Sequence, residues 1–275
     1  MSAMQCLNFT RYFGIIIGDK VDEDEQAWIL YTLLRRIIAF VTSPRLHQGY
    51  LIQLESLIPE FLSLYKNLGG VLTIKLHNLL HLLRVIIKNG PPMYFSSLRP
   101  EAKHRSLKLI AVTTSNRVNL PKTIALRGQL QLAYMRYSQT LSTSNFLYET
   151  KDIIDDQDKR FYFRNSEHGE IIYRTNFISV EGIHYNVDSV VVIEMGEEME
   201  DLLFGLIKDI YIKKNEVYLR MRPLKCMYFN DRYYAYCVRE LPTDLIKKPN
   251  EILDIHPCLL VNKKDVIFVV PKYVL

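Results

Sequence analysis

Apolar residues recur every three or four positions over the first 140 residues and every second position after about residue 176. The chain therefore reads as helices followed by strands. Residues 4–17 form a short apolar run. Asp19 or Asp22 is the expected cap of the next helix, with acids in the first turn where the helix dipole favours them. Trp28, Ile29, Leu33, Ile37 and Phe40 mark its buried face, and Ser43-Pro44 stops it. Leu51, Leu54, Ile58, Phe61, Leu62 and Tyr65 make a second amphipathic face that runs to Gly69-Gly70; Pro59 falls inside it and predicts a kink or a break. A third helix is predicted from Thr73 to Lys88, closed by Asn89-Gly90-Pro91-Pro92. Two more are predicted to begin near Pro100 and near Pro121, because proline suits the first helical position.

Residues 141–175 are polar and charged and read as a linker or an irregular segment. Beyond them, 189–194, 204–212, 216–222, 233–238 and 265–270 are short, β-branched and aromatic, and are separated by Gly, Asn, Asp and Pro. This spacing suits a small barrel. The expected fold class is α+β. A helical region, 1–140, precedes an SH3-like β-barrel domain, 176–275. Tyr228, Phe229, Tyr233, Tyr234 and Tyr236 lie close together, and strand alternation would bury about half of them. The acidic run at 194–201 reads as a hairpin loop that keeps the sheet edge soluble.

Composition narrows the class. With 275 residues and 48% hydrophobic content, a sizeable core can form. The four cysteines, Cys6, Cys226, Cys237 and Cys258, have no C-x-x-C spacing, so they read as reduced thiols and signal no zinc knuckle. No stretch has the pattern of a secretory leader or the length of a membrane span, which implies no membrane and a nuclear or cytoplasmic location.

The net charge of +5 is modest, but its distribution is uneven. Glu101 stands among nine basic or potentially basic side chains between Arg99 and Arg136. Arg99, Lys103, Arg105, Lys108, Arg117, Lys122, Arg127 and Arg136 are the candidates for phosphate contact, with Thr113 to Asn116 and Asn119 as neutral donors. RNA would be met by the same chemistry as DNA. A lone carboxylate in such a field is either the last acidic ligand of a metal-dependent nuclease or part of a phosphate-binding surface without catalytic chemistry. Two-metal chemistry needs several converging carboxylates, which Glu101 alone does not supply. His77 and His81 share a helix face at four-residue spacing, and His104 follows. In an apolar helix they read as packed histidines bonded to backbone or to Glu101, with zinc binding as the rival.

Lys75, His77, His81, Gly90-Pro91, Arg99, Glu101, His104, Lys108, Asn119, Thr123, Ala125, Arg127 and Gln129, taken in order and spacing, resemble the C-terminal part of CACTA (En/Spm-like) DNA transposases. They are more similar still to transposon-derived animal proteins that share this region. The resemblance extends to G-D-K-V-D-E-D-E-Q-A-W upstream and to Y-N-V-D-S-V-V-V, F-G-L-I-K-D-I-Y, Y-Y-A-Y-C-V and I-H-P-C-L-L downstream. It implies descent from a DD(E/D) transposase whose acids hold two Mg2+ or Mn2+ ions. Glu101 then matches the third acid, seven residues before Lys108, while His77, His81 and His104 take structural places near it. The first 90 residues hold no apolar strand ending in Asp, so the two upstream acids are missing from the chain.

Three functions follow. The first is a catalytically incomplete, transposase-derived nuclear protein that binds nucleic acid and needs no cofactor by itself. The second is a strand-transfer enzyme to which this chain contributes Glu101 while another polypeptide or an upstream exon supplies the remaining ligands. The third is an interaction module in which the β domain holds a protein partner.

Overall fold

The computed structural model describes residues 3–96, 98–114, 118–137, 146–148, 152–154, 163, 171–180, 182–196 and 202–273, apart from the side chains of 98–103, 135–136, 146–147 and 255. It is mixed α+β, with helices first and an antiparallel, strand-rich part after them.

Helices α1 (Ala3–Ile17), α2 (Gln26–Val41) and α3 (Gln48–Asn67) come first. Leu33, Ile37 and Phe40 of α2 interlock with Leu54, Leu57, Ile58 and Phe61 of α3, the residues that recur at helical spacing. The helix α3 runs through Pro59 without a break. Neither Asp19 nor Asp22 caps α2, which starts at Gln26 behind Glu25. Gly18–Lys20 instead forms a 3-10 turn, and the Asp19 carboxylate takes a bond from Lys263 Nζ at 2.7 Å.

The single helix expected over Thr73–Lys88 is three pieces: α4 (Ile74–His77), a 3-10 turn over Asn78–His81, and α5 (Leu82–Asn89). A 3-10 turn repeats every three residues, and Leu76, Leu79 and Leu82 are three apart. The tightened turn puts all three on the side that packs against α2 and α3. Gly90 ends α5 with a φ of 83°, the left-handed conformation that favours glycine. Two longer helices follow, α6 (Leu98–Thr113) and α7 (Leu120–Tyr137).

The strands are β1 (Phe146–Tyr148), β2 (Asp152–Ile153), β3 (Ile172–Thr175), β4 (Phe177–Val180), β5 (Ile183–Asn186), β6 (Val190–Glu194), β7 (Leu203–Lys213), β8 (Glu216–Asn230), β9 (Ala235–Glu240), β10 (Leu245–Lys247), β11 (Asp254–Lys263) and β12 (Val266–Val270). The stretch 141–175, read as a linker, thus contributes strands. Apolar residues explain this: Ile154, Phe163, Ile172 and Tyr211 bury one another.

Pairing runs β6–β7–β8–β9–β12–β11 and returns to β6, all antiparallel. The far halves of the long β7–β8 hairpin leave this circuit to pair with β3 and β10. Val190 and Val192 point to one core with Phe204, Leu206, Leu224 and Val269. Val191 and Ile193 point to another, with Ile207, Leu219 and Met221, which is covered by Ile178 and Tyr185 of the β1–β4–β5 sheet. A strand buried on both faces needs a continuous apolar run, and 190–193 is Val-Val-Val-Ile.

The helices and strands are bound together directly. Ile15 packs with Ala235, Cys237, Phe268 and Val270. Arg232 donates to the carbonyls of Gly18 and Val21 and to Glu23. Arg35, fully buried, donates to Arg11 O at 3.2 Å and to Pro271 O at 2.9 Å, with its guanidinium 4.2 Å from the centre of the Tyr234 ring.

Candidate nucleic-acid interface

From Phe61 to Tyr148 the chain carries twelve lysines and arginines and one acid, Glu101. That stretch is net +11, which leaves −6 for the remainder of a chain whose total is +5. The asymmetry brings in four cations that the 99–136 cluster leaves out: Lys66 in the last turn of α3, Lys75 on α4, and Arg84 and Lys88 on α5. All four are exposed. The signal available in sequence is the shortage of acids over this stretch, which begins well upstream of Glu101.

Local chemistry builds the helical hairpin α6–α7. Asn119 Oδ1 accepts the Lys122 N–H at 3.2 Å, and the Asn119 carbonyl accepts from the Thr123 N–H, so α7 begins with a side-chain cap next to Pro121. Thr114 is buried; its hydroxyl donates to Ile110 O at 2.6 Å and accepts from Arg127 Nη1 at 3.1 Å, joining the two helices. Leu107 of α6 lies over Gly128 of α7, where even a Cβ would make ordinary van der Waals contact at 3.5 Å. Among the described residues, α6 and α7 contact chiefly each other.

Its outer surface mixes cations with apolar groups. His104, Arg105, Lys108, Lys122 and Arg127 are exposed. So are Leu109, Val112, Leu126, Leu130, Tyr134 and Tyr137, with Tyr134 at 69% and Tyr137 at 90% exposure. Among the described residues, the ion pairs lie on the strands and where they meet the turn after α1, and none engages a cation of α4–α7. These cations remain available to an external anion. Cations of this kind contact phosphates, and exposed tyrosine rings are stacking platforms for bases.

The remaining candidates fall differently. Arg99, Glu101 and Lys103 lie on α6, but their side chains are outside the described residues, as is Arg117; Arg136, on α7, is likewise without a described side chain. His77 and His81 do not pack in an apolar helix. Both are exposed, and their rings meet edge-on with centroids 5.1 Å apart, because the 3-10 turn directs leucines, not histidines, to the core. No group of three metal-ligating side chains occurs among the described residues. No helix among them is long and apolar enough to cross a membrane. The tyrosine-rich turn serves packing in part: Tyr233 meets Phe268 edge-on and Tyr234 lies under Arg35, whereas Tyr228 is half exposed. In comparisons with protein-family models, curated proteins and solved structures, the chain matches none of them.

Proposed function

We propose that this chain is a transposase-derived nuclear protein that binds nucleic acid through α4–α7 and has no complete metal site of its own. The observation that carries the reading is charge segregation onto exposed helices: +11 over Phe61–Tyr148 against −6 elsewhere, with Lys75, Arg84, Lys88, Arg105, Lys108, Lys122 and Arg127 exposed. Repulsion among these cations is unfavourable in the free protein and is relieved when phosphates neutralise them. The order and spacing from Lys75 to Gln129 support the transposase ancestry. The closed pairing circuit supports reading the strands as a small SH3-like barrel that serves as a platform for the helices.

The test is fluorescence anisotropy with a short DNA duplex. Replacing Arg105, Lys108 and Lys122 together by Gln is expected to weaken binding at least about tenfold. The matching change of Lys247 and Lys248 on the β part should leave binding unaltered. Equal affinity for the helical variant and the wild type would overturn the reading. Glu101→Gln is expected to bind equally well or more tightly, because a negative charge is removed. Magnesium-dependent nicking that this variant abolishes would instead support the strand-transfer reading.

A further inference from the structure

Leu76, Leu79 and Leu82 pack into the helical core, yet the same stretch carries further apolar residues that the core does not use. Leu68, Val71, Leu72, Ile74 and Leu80 are exposed, Val71 at 75% and Ile74 at 78%. Leu62, Leu72, Thr73, Ile74, His77 and Leu80 line a groove of about 250 Å³ between the end of α3 and α4. That is below the roughly 300–1,000 Å³ of a small-molecule site, and it suits apolar side chains presented by a partner. The turn after α3 fixes its wall. Gly69 takes a φ of 83°, and Gly70 donates to Tyr65 O at 2.9 Å and lies against the Tyr65 ring with no room for a Cβ. Thr73 then caps α4 through its hydroxyl.

Two independent features specify what fills this groove. The first is charge. Lys66 stands one helical turn after Leu62 on α3, Lys75 lies between Ile74 and His77 on α4, and Arg84 follows Leu80 by about a turn. All three are exposed, and none is in an ion pair among the described residues. No Asp or Glu occurs from Phe61 to Pro100. An apolar groove with a cationic rim is complementary to apolar side chains flanked by carboxylates. The second feature is the kind of wall. The lining residues lie on helices and a turn, so the groove offers no sheet edge. A partner's backbone must satisfy its own hydrogen bonds there, as an α-helix does and an extended peptide does not. A second copy meeting this groove face to face would bring like charges together, and a bilayer surface is too flat to fill a concave site.

We infer that the groove docks an amphipathic α-helix of another protein, one that presents leucine-like side chains at i, i+3, i+4 and i+7 with glutamate or aspartate beside them. Its apolar stripe covers Leu72, Ile74 and Leu80, and its carboxylates meet Lys66, Lys75 and Arg84. The site rests on the apolar surplus and its cationic rim, and does not depend on nucleic acid being bound by the helices.

Fluorescence anisotropy of the full chain with a labelled helical peptide of about 18 residues, carrying Leu at i, i+3, i+4 and i+7 and Glu on both flanks, tests the assignment. A scrambled peptide of the same composition keeps the charge and loses the stripe; a third peptide has Lys in place of Glu. The striped acidic peptide is expected to bind at least about tenfold more tightly than either control. Leu72→Ala and Ile74→Ala should each weaken it about three- to tenfold. Both residues are half exposed or more, so the melting temperature should hold. Lys66→Gln combined with Lys75→Gln should flatten the salt dependence of peptide binding. Duplex DNA affinity should be unaltered in Leu72→Ala and Ile74→Ala, because the cations remain, so failure here is distinguishable from failure of the nucleic-acid interface. Equal affinity for the striped and scrambled peptides, or wild-type affinity in both apolar variants, would overturn the assignment. So would a dimer in sedimentation, or binding to anionic vesicles, that Ile74→Ala abolishes.

Discussion

Arg35 is a fully buried cation whose hydrogen bonds go to two carbonyls, Arg11 O and Pro271 O, and whose flat face rests on Tyr234. It ties α2 to α1 and to the end of the strand region. Burial pulls its pKa down to about 10, and the neighbouring tyrosines oppose that shift. Arg35→Ala leaves a cavity and two carbonyls without their donor, so a loss of about 2–4 kcal/mol is expected in urea unfolding. Arg35→Met, which retains volume and removes a desolvated charge, should cost clearly less. Burial acts the opposite way on the tyrosines nearby: it raises Tyr12 and Tyr31, and pushes Tyr234 up to about 12. A tyrosine that ionises near 10 when unfolded but higher when folded gives stability that is lost as pH rises through that window. Arg35, with its folded pKa lowered, acts in the opposite sense over the same range. Burial raises Tyr50, Tyr236 and Tyr273 as well, and together these tyrosines outnumber Arg11, Arg35 and Lys272, which burial lowers, so the urea midpoint should fall from pH 9 to pH 11. Tyrosinate absorbance should rise together with unfolding, and an unchanged midpoint would contradict the burial of these rings.

The long β7–β8 hairpin is the element on which both strand cores depend. Gly205 faces Pro223 across it, and a Cβ at Gly205 would lie 2.8 Å from Ile193 Cδ1 and from Met221 Sδ. Gly205→Ala is therefore expected to cost about 1–3 kcal/mol through overpacking, measured by denaturant unfolding. Where the pairing register shifts, between Ile207 and Asp209, the buried Asp209 carboxylate meets Arg174 and Arg220. Asp209→Ala should cost about 2–4 kcal/mol, less than a wholly buried pair, because Asp244 still engages Arg220. Legibility varied with how local the cause was. The α2 and α3 faces and β6, β7, β9 and β12 could be read from periodicity within a few neighbours. The 3-10 turn at Asn78–His81 could not, because a leucine every third residue satisfies a helical template almost as well as a 3-10 one. Strand β3 was not legible within the polar stretch 141–175, because its burial depends on Ile172 meeting Tyr211, 39 positions further along the chain.

At the scale of the molecule, opposite charges are separated along the chain; Ile15 of α1, Arg35 and Arg232 bind the first two helices to the strands, and Leu76, Leu79 and Leu82 pack the start of the basic stretch against α2 and α3. The candidate surface was partly legible. The 99–136 cluster is a run in sequence, and Arg105, Lys108, Lys122 and Arg127 are exposed as a phosphate-contacting set must be. Lys75, Arg84 and Lys88 each stand alone among leucines and isoleucines and form no run in sequence; only the shortage of acids across the whole stretch unites them. The central claim is that exposed cations on α4–α7 bind nucleic acid by neutralising phosphates. Duplex affinity measured against salt concentration tests it most directly. With four to seven of the exposed cations engaged, log affinity should fall with log salt at a slope of about −4 to −6, and neutralising Arg105 and Lys108 should reduce that slope by about two. A flat response, or the same slope in the variant, would contradict it.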